Sequence, residues 1–254
     1  MHLTDDKKIW IPDGDNWCIW GADFEKGEFA EVIDHHITKW RVSIDVGAHV
    51  GIWSMRLAER FKEVYAFEPV PKHIECWKQN MLQWKDTSIL YEVALGHKNG
   101  TIEIQVPVEE NTGMAAIVQP QLVQTSGWDD LNNFPKIEVE TRTLDSYEFD
   151  QVDFIKIDVE WFELKVLQGA ENTIRKHKPV IYVEINDIGV YDFMENLDID
   201  YRIFYATSSK AHGNSLFKID HNFNKLMKPF SPTPATRHAL TKLRLSNLYD
   251  KEVY

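Results

Sequence analysis

The residues with the clearest capacity for chemistry are acids that close short apolar runs, together with one glycine-bounded loop. Val42-Ser43-Ile44-Asp45 leads into Val46-Gly47-Ala48-His49-Val50-Gly51, and Val64-Tyr65-Ala66-Phe67 ends in Glu68. Farther along, Phe154-Ile155-Lys156-Ile157 ends in Asp158, followed by Val159 and Glu160. A buried strand that passes through Gly-x-x-x-Gly into a helix presents unpaired backbone N–H groups to a ligand beyond the sheet edge. Glu68 follows Gly47 by about 20 residues, the separation at which a carboxylate on the next strand accepts hydrogen bonds from a ribose diol.

The glycine pattern separates the ligand classes that use such a loop. A dinucleotide site needs glycine where the pyrophosphate crowds the backbone, and His49 stands there, which disfavours a dehydrogenase. A phosphate-binding loop ends in Gly-Lys-Ser/Thr, whereas Gly51 is followed by Ile52 and Trp53, which excludes a nucleoside triphosphatase. A ligand with a ribose and no phosphate remains, and S-adenosyl-L-methionine fits that description. Either glycine alone is also explained by an ordinary tight turn; Glu68 at the right distance favours the nucleoside.

The elements that must position these groups follow from pattern. Short apolar runs at 42–46, 64–68, 88–93, 153–158 and 180–185 alternate with amphipathic stretches at 51–62, 72–84, up to about 177, and 189–197. Strands alternating with helices imply right-handed crossovers and a parallel sheet with its ligands at the carboxyl ends of the strands. Residues 97–142 break the rhythm with three strand-like runs, 101–106, 113–118 and 136–141, a β insertion whose loop with Trp128, Asp129 and Asp130 is either a pocket wall or plain surface. Ala94-Leu95-Gly96 reads as a turn. Two final runs, 201–205 and 215–219, joined by a polar loop with Gly213 and Asn214, are expected to be antiparallel. The first 24 residues read as short strands covering a sheet edge, 25–38 as a helix delivering His35-His36, and 235–248 as a helix that docks, contacts a second copy or acts as a lid. One domain is expected over 1–254: an N-terminal cover at 1–38, a core at 40–206, and a last strand and tail at 207–254.

Composition narrows the partners. The 254 residues carry 28 Lys and Arg against 40 Asp and Glu, a formal charge of −12 that opposes binding to a phosphate backbone, so nucleic acid is not expected. The hydrophobic share of 43% is that of an ordinary globule, and no run approaches the ~20 apolar residues of a membrane span. Cys18 and Cys76 lack metal-ligand spacing and the density of a disulfide scaffold, so two thiols in a reducing cytoplasm are expected.

Taken together, the blocks Asp45-Val46-Gly47-Ala48-His49-Val50-Gly51, Ala66-Phe67-Glu68-Pro69, Ala94-Leu95-Gly96, Thr143-Leu144-Asp145, Lys156-Ile157-Asp158-Val159-Glu160 and Val166-Leu167-Gln168-Gly169-Ala170, with 179–184, resemble the FkbM-type S-adenosylmethionine-dependent methyltransferases. The first block is generic to such enzymes; Thr-Leu-Asp with Lys-Ile-Asp-Val-Glu is more specific. The resemblance implies an α/β Rossmann-like class I methyltransferase fold, with a mostly parallel seven-stranded sheet and an antiparallel C-terminal strand. It also implies methyl transfer, most often to a hydroxyl, on a small-molecule or carbohydrate acceptor. Where the family usually has glycine after Val-Glu, this chain has Trp161, a ring that reshapes the acceptor pocket.

Within that reading Asp45, Gly47, Ala48, His49 and Gly51 hold the methionine and ribose part of the cofactor, Glu68 the ribose hydroxyls, and Ala94 and Leu95 the adenine. Asp158 orients the acceptor, takes its proton, or balances the sulfonium charge. Glu160 is a second catalytic candidate and Trp161 a substrate contact, while Glu163 is explained by the dipole at a helix start. His49 reaches the acceptor or packs the loop. Asp158, Glu184 and Asn186 are oxygen ligands for a magnesium-type ion, if one is used. The alternative is a catalytically silent, methyltransferase-like binding module that keeps the cofactor site.

Overall fold

A computed structural model describes residues 1–4, 8–15, 18, 36–108, 112–117, 134–185, 189–199, 201–205 and 213–219. The helix expected at 25–38 lies outside these residues except at its last three positions. Also outside them are Asn186, the loop with Trp128, Asp129 and Asp130, and the tail helix.

The chain opens with a two-residue antiparallel pair, β1 (His2–Leu3) and β2 (Trp10–Ile11). It continues through β3 (Val42–Val46), α1 (Ile52–Ala58), β4 (Glu63–Phe67), α2 (Pro71–Asn80) and β5 (Ser88–Tyr91). Then follow β6 (Ala94–Leu95) and, within the insertion, β7 (Gly100–Gln105), β8 (Ala116–Ile117) and β9 (Lys136–Arg142). Then come β10 (Phe154–Ile157), α3 (Glu163–Gln168), α4 (Glu171–His177), β11 (Val180–Ile185), α5 (Gly189–Asn196), β12 (Tyr201–Tyr205) and β13 (Gly213–Ile219).

Seven of these strands form one sheet in the order β12-β13-β11-β10-β3-β4-β5. The pairs from β11 through β5 are parallel, and β13 runs antiparallel between β11 and β12. The period-2 alternation of each strand assigns its side chains to one of two layers. Ile44, Val46, Ile155, Ile157, Ile181 and Val183 meet Val166, Leu167 and Ile174 of α3 and α4 and Val190 and Met194 of α5. On the opposite face Phe154 and Tyr182 meet Trp53 and Leu57 of α1, while Ala66 meets Trp77 of α2. Helices therefore cover both faces, and the carboxyl ends of β3, β4 and β10 form one rim.

The second sheet has the order β6-β9-β7-β8 and carries the insertion. Ala94-Leu95, read from sequence as a turn, is instead a strand parallel to Thr141–Arg142. Gly213 and Asn214, read as loop, pair with Ile185 and Glu184 as the first residues of β13.

The helix read as continuous to residue 177 is broken at Gly169-Ala170. Thr143-Leu144-Asp145 explains the break. The Asp145 carboxylate accepts hydrogen bonds from the backbone N–H of Asn172 (2.9 Å) and Thr173 (2.8 Å) and from Thr173 Oγ1 (2.8 Å), satisfying first-turn donors of α4. The Asp145 N–H donates to the Gly169 carbonyl at 2.9 Å. Gly169 itself backs onto the β6 turn so closely that a Cβ would lie 1.9 Å from the Gly96 carbonyl oxygen. Its φ of −81° is one any residue adopts, so the requirement is steric. Gly169→Ala is expected to force that backbone apart at a cost of about 1–3 kcal/mol, lowering Tm by roughly 2–4 °C per kcal/mol in thermal denaturation followed by circular dichroism. An unchanged Tm would contradict the contact.

Candidate active site

The rim is organised by a lysine. Lys156 lies in an otherwise apolar strand and is 3% exposed. Its ammonium stands 3.3 Å from Asp158 Oδ2 and 3.6 Å from Asp45 Oδ1, and donates to the Gly47 carbonyl at 3.1 Å. One buried cation thus ties the ends of β3 and β10 to the glycine loop. Asp45 also accepts Ser54 Oγ at 2.6 Å, and Ser54 Oγ accepts the Trp77 indole N–H at 2.9 Å. Burial raises the Asp45 carboxyl above its usual range, against the pull of Lys156.

Gly47 adopts φ +75°, and a Cβ there would sit 1.8 Å from the Asp158 carbonyl oxygen. The loop can pass this close to β10 only as glycine. Gly47 and Ala48 donate their N–H groups to the Phe67 carbonyl, and the His49 N–H donates to Glu68 Oε2 at 2.9 Å. Glu68 Oε1 accepts the Val70 N–H (2.9 Å) and lies 3.1 Å from His73 Nδ1. Burial alone would raise the Glu68 carboxyl, but the hydrogen bond and charge of His73 hold it below the usual range. His49 and His73 meet edge to face with ring centroids 4.2 Å apart.

Above this floor opens a cavity of about 610 Å³ whose lining includes Gly47, His49, Glu68, His73, Ala94, Leu95, Asp158, Glu160 and Phe162. At one end, carboxylate oxygens of Asp158, Glu160 and Glu184 lie within 4.8 Å of one another. Three acids this close cannot all ionise freely. Burial and the charges of Asp158 and Glu160 push Glu184 up to about 11, and burial with Asp158 and Glu163 pushes Glu160 up to about 8. Burial works against Asp158 as well, yet Lys156 and a hydrogen bond with Glu184 keep it below the usual range.

The sequence-derived candidates divide accordingly. Gly47, His49, Glu68, Ala94, Leu95, Asp158 and Glu160 all line the cavity, and Glu184 joins the carboxylate cluster. Asp45, Ala48 and Gly51 are not in the described lining: Asp45 supports the loop from behind, Ala48 packs with Ala66 and Trp77, and Gly51 backs onto the Trp77 indole. Trp161 is also absent from the described lining, where Phe162 stands instead. Glu160 and Trp161 both have positive φ (44° and 71°), a tight reversal in which the Trp161 N–H donates to Glu163 Oε1 at 3.0 Å. Left-handed φ is costly for a bulky residue and free for glycine, which accounts for glycine being usual there.

Residues 45–216 match the Methyltransferase FkbM domain, well over half of the chain. The chain belongs to the FkbM methyltransferase family. Among solved structures it is similar to methyltransferase FkbM from Methylobacillus flagellatus, with 15% identity over 76% of this chain and 49% of that one, and a TM-score of 0.53. It thus spans about half the length of that protein. It is also similar to an rRNA methylase from Streptococcus thermophilus (13% identity, 78% and 92% covered, TM-score 0.42) and a precorrin-6y C5,15-methyltransferase from Geobacter metallireducens (14%, 71% and 80%, 0.37). The first of these likenesses speaks to fold, which is Rossmann-like class I. No curated protein matches the sequence.

Methyltransferases of this family and fold use S-adenosylmethionine, and the residues present fit it. Glu68 spends three of its four acceptor positions on His49, Val70 and His73, which leaves one on Oε2 for a ribose hydroxyl. Lys156, His73 and Thr112 were not singled out from sequence. For Lys156 a signal existed: a lone cation inside an apolar strand, level with the acid of the neighbouring strand. Lys156→Met should leave Asp45 and Asp158 without their shared counter-charge and cost about 3–5 kcal/mol in denaturant unfolding. A loss below about 1 kcal/mol would show that the ion pairs do not hold the rim.

No helix among the described residues is long and apolar enough to cross a membrane.

Proposed function

We propose that the protein is an S-adenosylmethionine-dependent O-methyltransferase acting on a hydroxyl of a small-molecule or carbohydrate acceptor. The observation that carries this reading is the convergence of Asp158, Glu160 and Glu184 at the cavity end beside Gly47. The cofactor, when bound, supplies an electrophilic methyl group on a sulfonium sulfur. The chain's own part is to hold an alcohol in line with that methyl group and remove its proton, and positioning accounts for much of the rate. The net charge of −12 favours such an acceptor over nucleic acid.

In this reading the carboxylates have different tasks, set by their surroundings. Asp158, held ionised by Lys156, is a weak base and serves to orient the acceptor hydroxyl. Glu184 stays protonated and shares its proton with Asp158. Glu160, poised at about 8, is the proton acceptor, because a base works best when its pKa lies near the working pH. Glu68 takes the ribose, the loop from Gly47 to His49 the methionine part, and Ala94 and Leu95 the adenine.

A second reading is favoured by the same cluster: three carboxylate oxygens within 4.8 Å are a donor set for a magnesium-type ion, which would bind the hydroxyl as its alkoxide. Asp158 and Glu184 belong to the set expected from sequence, and Glu160 joins them.

These readings separate in release of S-adenosylhomocysteine across a panel of hydroxylated acceptors, run with and without chelator. With Glu160 as base, kcat/KM rises with pH as its proton leaves and levels off above about 8. Glu160→Gln is expected to flatten that rise and lower kcat by about 10²–10⁴-fold. Chelator leaves both unchanged, whereas loss of turnover with chelator and its recovery with magnesium supports the metal. No turnover on any acceptor despite cofactor binding would leave the silent binding module.

A further inference from the structure

Across the cavity from the carboxylates, buried polar side chains from four segments meet at Thr112. Its Oγ1 lies 2.5 Å from Asp15 Oδ2, 3.2 Å from His49 Nε2 and 3.1 Å from His73 Nε2. A hydroxyl has one proton to give and two lone pairs to share. The carboxylate only accepts, so the Thr112 proton goes to Asp15, and both imidazoles donate to Thr112 through Nε2. His73 Nδ1 also lies 3.1 Å from Glu68 Oε1.

His49 is in a different position. With the proton on Nε2, the His49 Nδ1 carries a lone pair. That nitrogen lies 3.9 Å from Cys18 Sγ. Asp15 Oδ2 accepts the Thr112 N–H and O–H, and Oδ1 accepts the Cys18 N–H at 3.0 Å. One of its four acceptor positions remains, on Oδ1. A carboxylate oxygen of Asp15, the Cys18 sulfur and a ring nitrogen of His49 all lie within 4.8 Å of one another.

We infer that Asp15, Cys18 and His49 bind a single thiophilic divalent cation of the zinc class, fastening the N-terminal segment to the glycine loop. Sulfur, nitrogen and oxygen donors together suit zinc, whereas magnesium and calcium take oxygen alone. Tetrahedral zinc holds its ligand atoms about 3.3–3.6 Å apart, so the three, now within 4.8 Å of one another, would draw together on binding. The outer hydrogen bonds are already made: His49 donates to Thr112, which donates to Asp15, and this fixes the imidazole tautomer that leaves Nδ1 available. On uptake the Cys18 S–H bond breaks, its electron pair forms the S–metal bond, and the proton leaves to solvent. Water completes the fourth position. The spacing hides this site in the sequence, because its ligands come from the N-terminal segment and from the loop after β3. It is independent of the methyl-transfer reading.

Cobalt(II) added to the metal-stripped, full-length protein tests the site. A thiolate-to-cobalt charge-transfer band in the near ultraviolet is expected, saturating at about one equivalent and erased by zinc. Cys18→Ser should abolish the band and Cys76→Ser should keep it. Asp15→Asn, which preserves shape, should weaken cobalt binding at least about ten-fold. No band in the unaltered protein, or a band that survives Cys18→Ser, overturns the site; S-adenosylhomocysteine binding measured on the same samples shows whether the cofactor site is intact.

Discussion

The ammonium of Lys156, buried among Asp45, Asp158 and the Gly47 carbonyl, is the interaction on which the rest of the site depends. A charge sealed in a core is costly unless it is paired and hydrogen-bonded. Here the pairing fixes geometry. It holds the end of β10 against the end of β3, so the Asp158 carbonyl can sit where any Cβ on Gly47 would be. It also keeps Asp158 ionised next to Glu160 and Glu184, which burial and like charge drive toward their protonated forms. The different tasks proposed for these carboxylates follow from burial, from like charge and from the pairing of Asp158 with that cation.

The other side of the cavity is built on an acid as well. Glu68 is sealed beneath the loop, yet its carboxyl is held below the usual range by His73 and by backbone N–H donors from the loop and from the start of α2. With Asp158 at the far end, two anionic groups face a cavity lined between them mainly by apolar side chains, a field suited to a cationic ligand. The sulfonium of the family's cofactor has that charge.

Much of this was legible in the sequence because it rests on local pattern. The strands 42–46, 63–67, 154–157 and 180–185 are short runs rich in apolar residues, and Gly47, Glu68 and Asp158 stand at or just past their ends, where ligands of parallel sheets bind. What escaped depends on contacts between distant segments. Ala94-Leu95 pairs as a strand only because Thr141–Arg142 lies beside it. The break at Gly169 needs the carbonyl of Gly96 and the carboxylate of Asp145, both far off in sequence. The left-handed backbone at Glu160 and Trp161, with Phe162 in the cavity lining, is a local reversal that no periodicity signals. The meeting of Asp15, Cys18, His49, His73 and Glu68 around Thr112 leaves no periodic trace at all.

The central claim is that the cavity over Gly47 and Glu68 is a nucleoside site. Calorimetric titration with S-adenosylhomocysteine, on the unaltered protein and on Glu68→Ala, tests it most directly. Micromolar binding by the unaltered protein, weakened by about ten-fold or more in the variant, is the predicted result, since hydrogen bonds to a charged group contribute about 1.5–3 kcal/mol. Absence of binding to folded protein, or equal affinity in both, would contradict it.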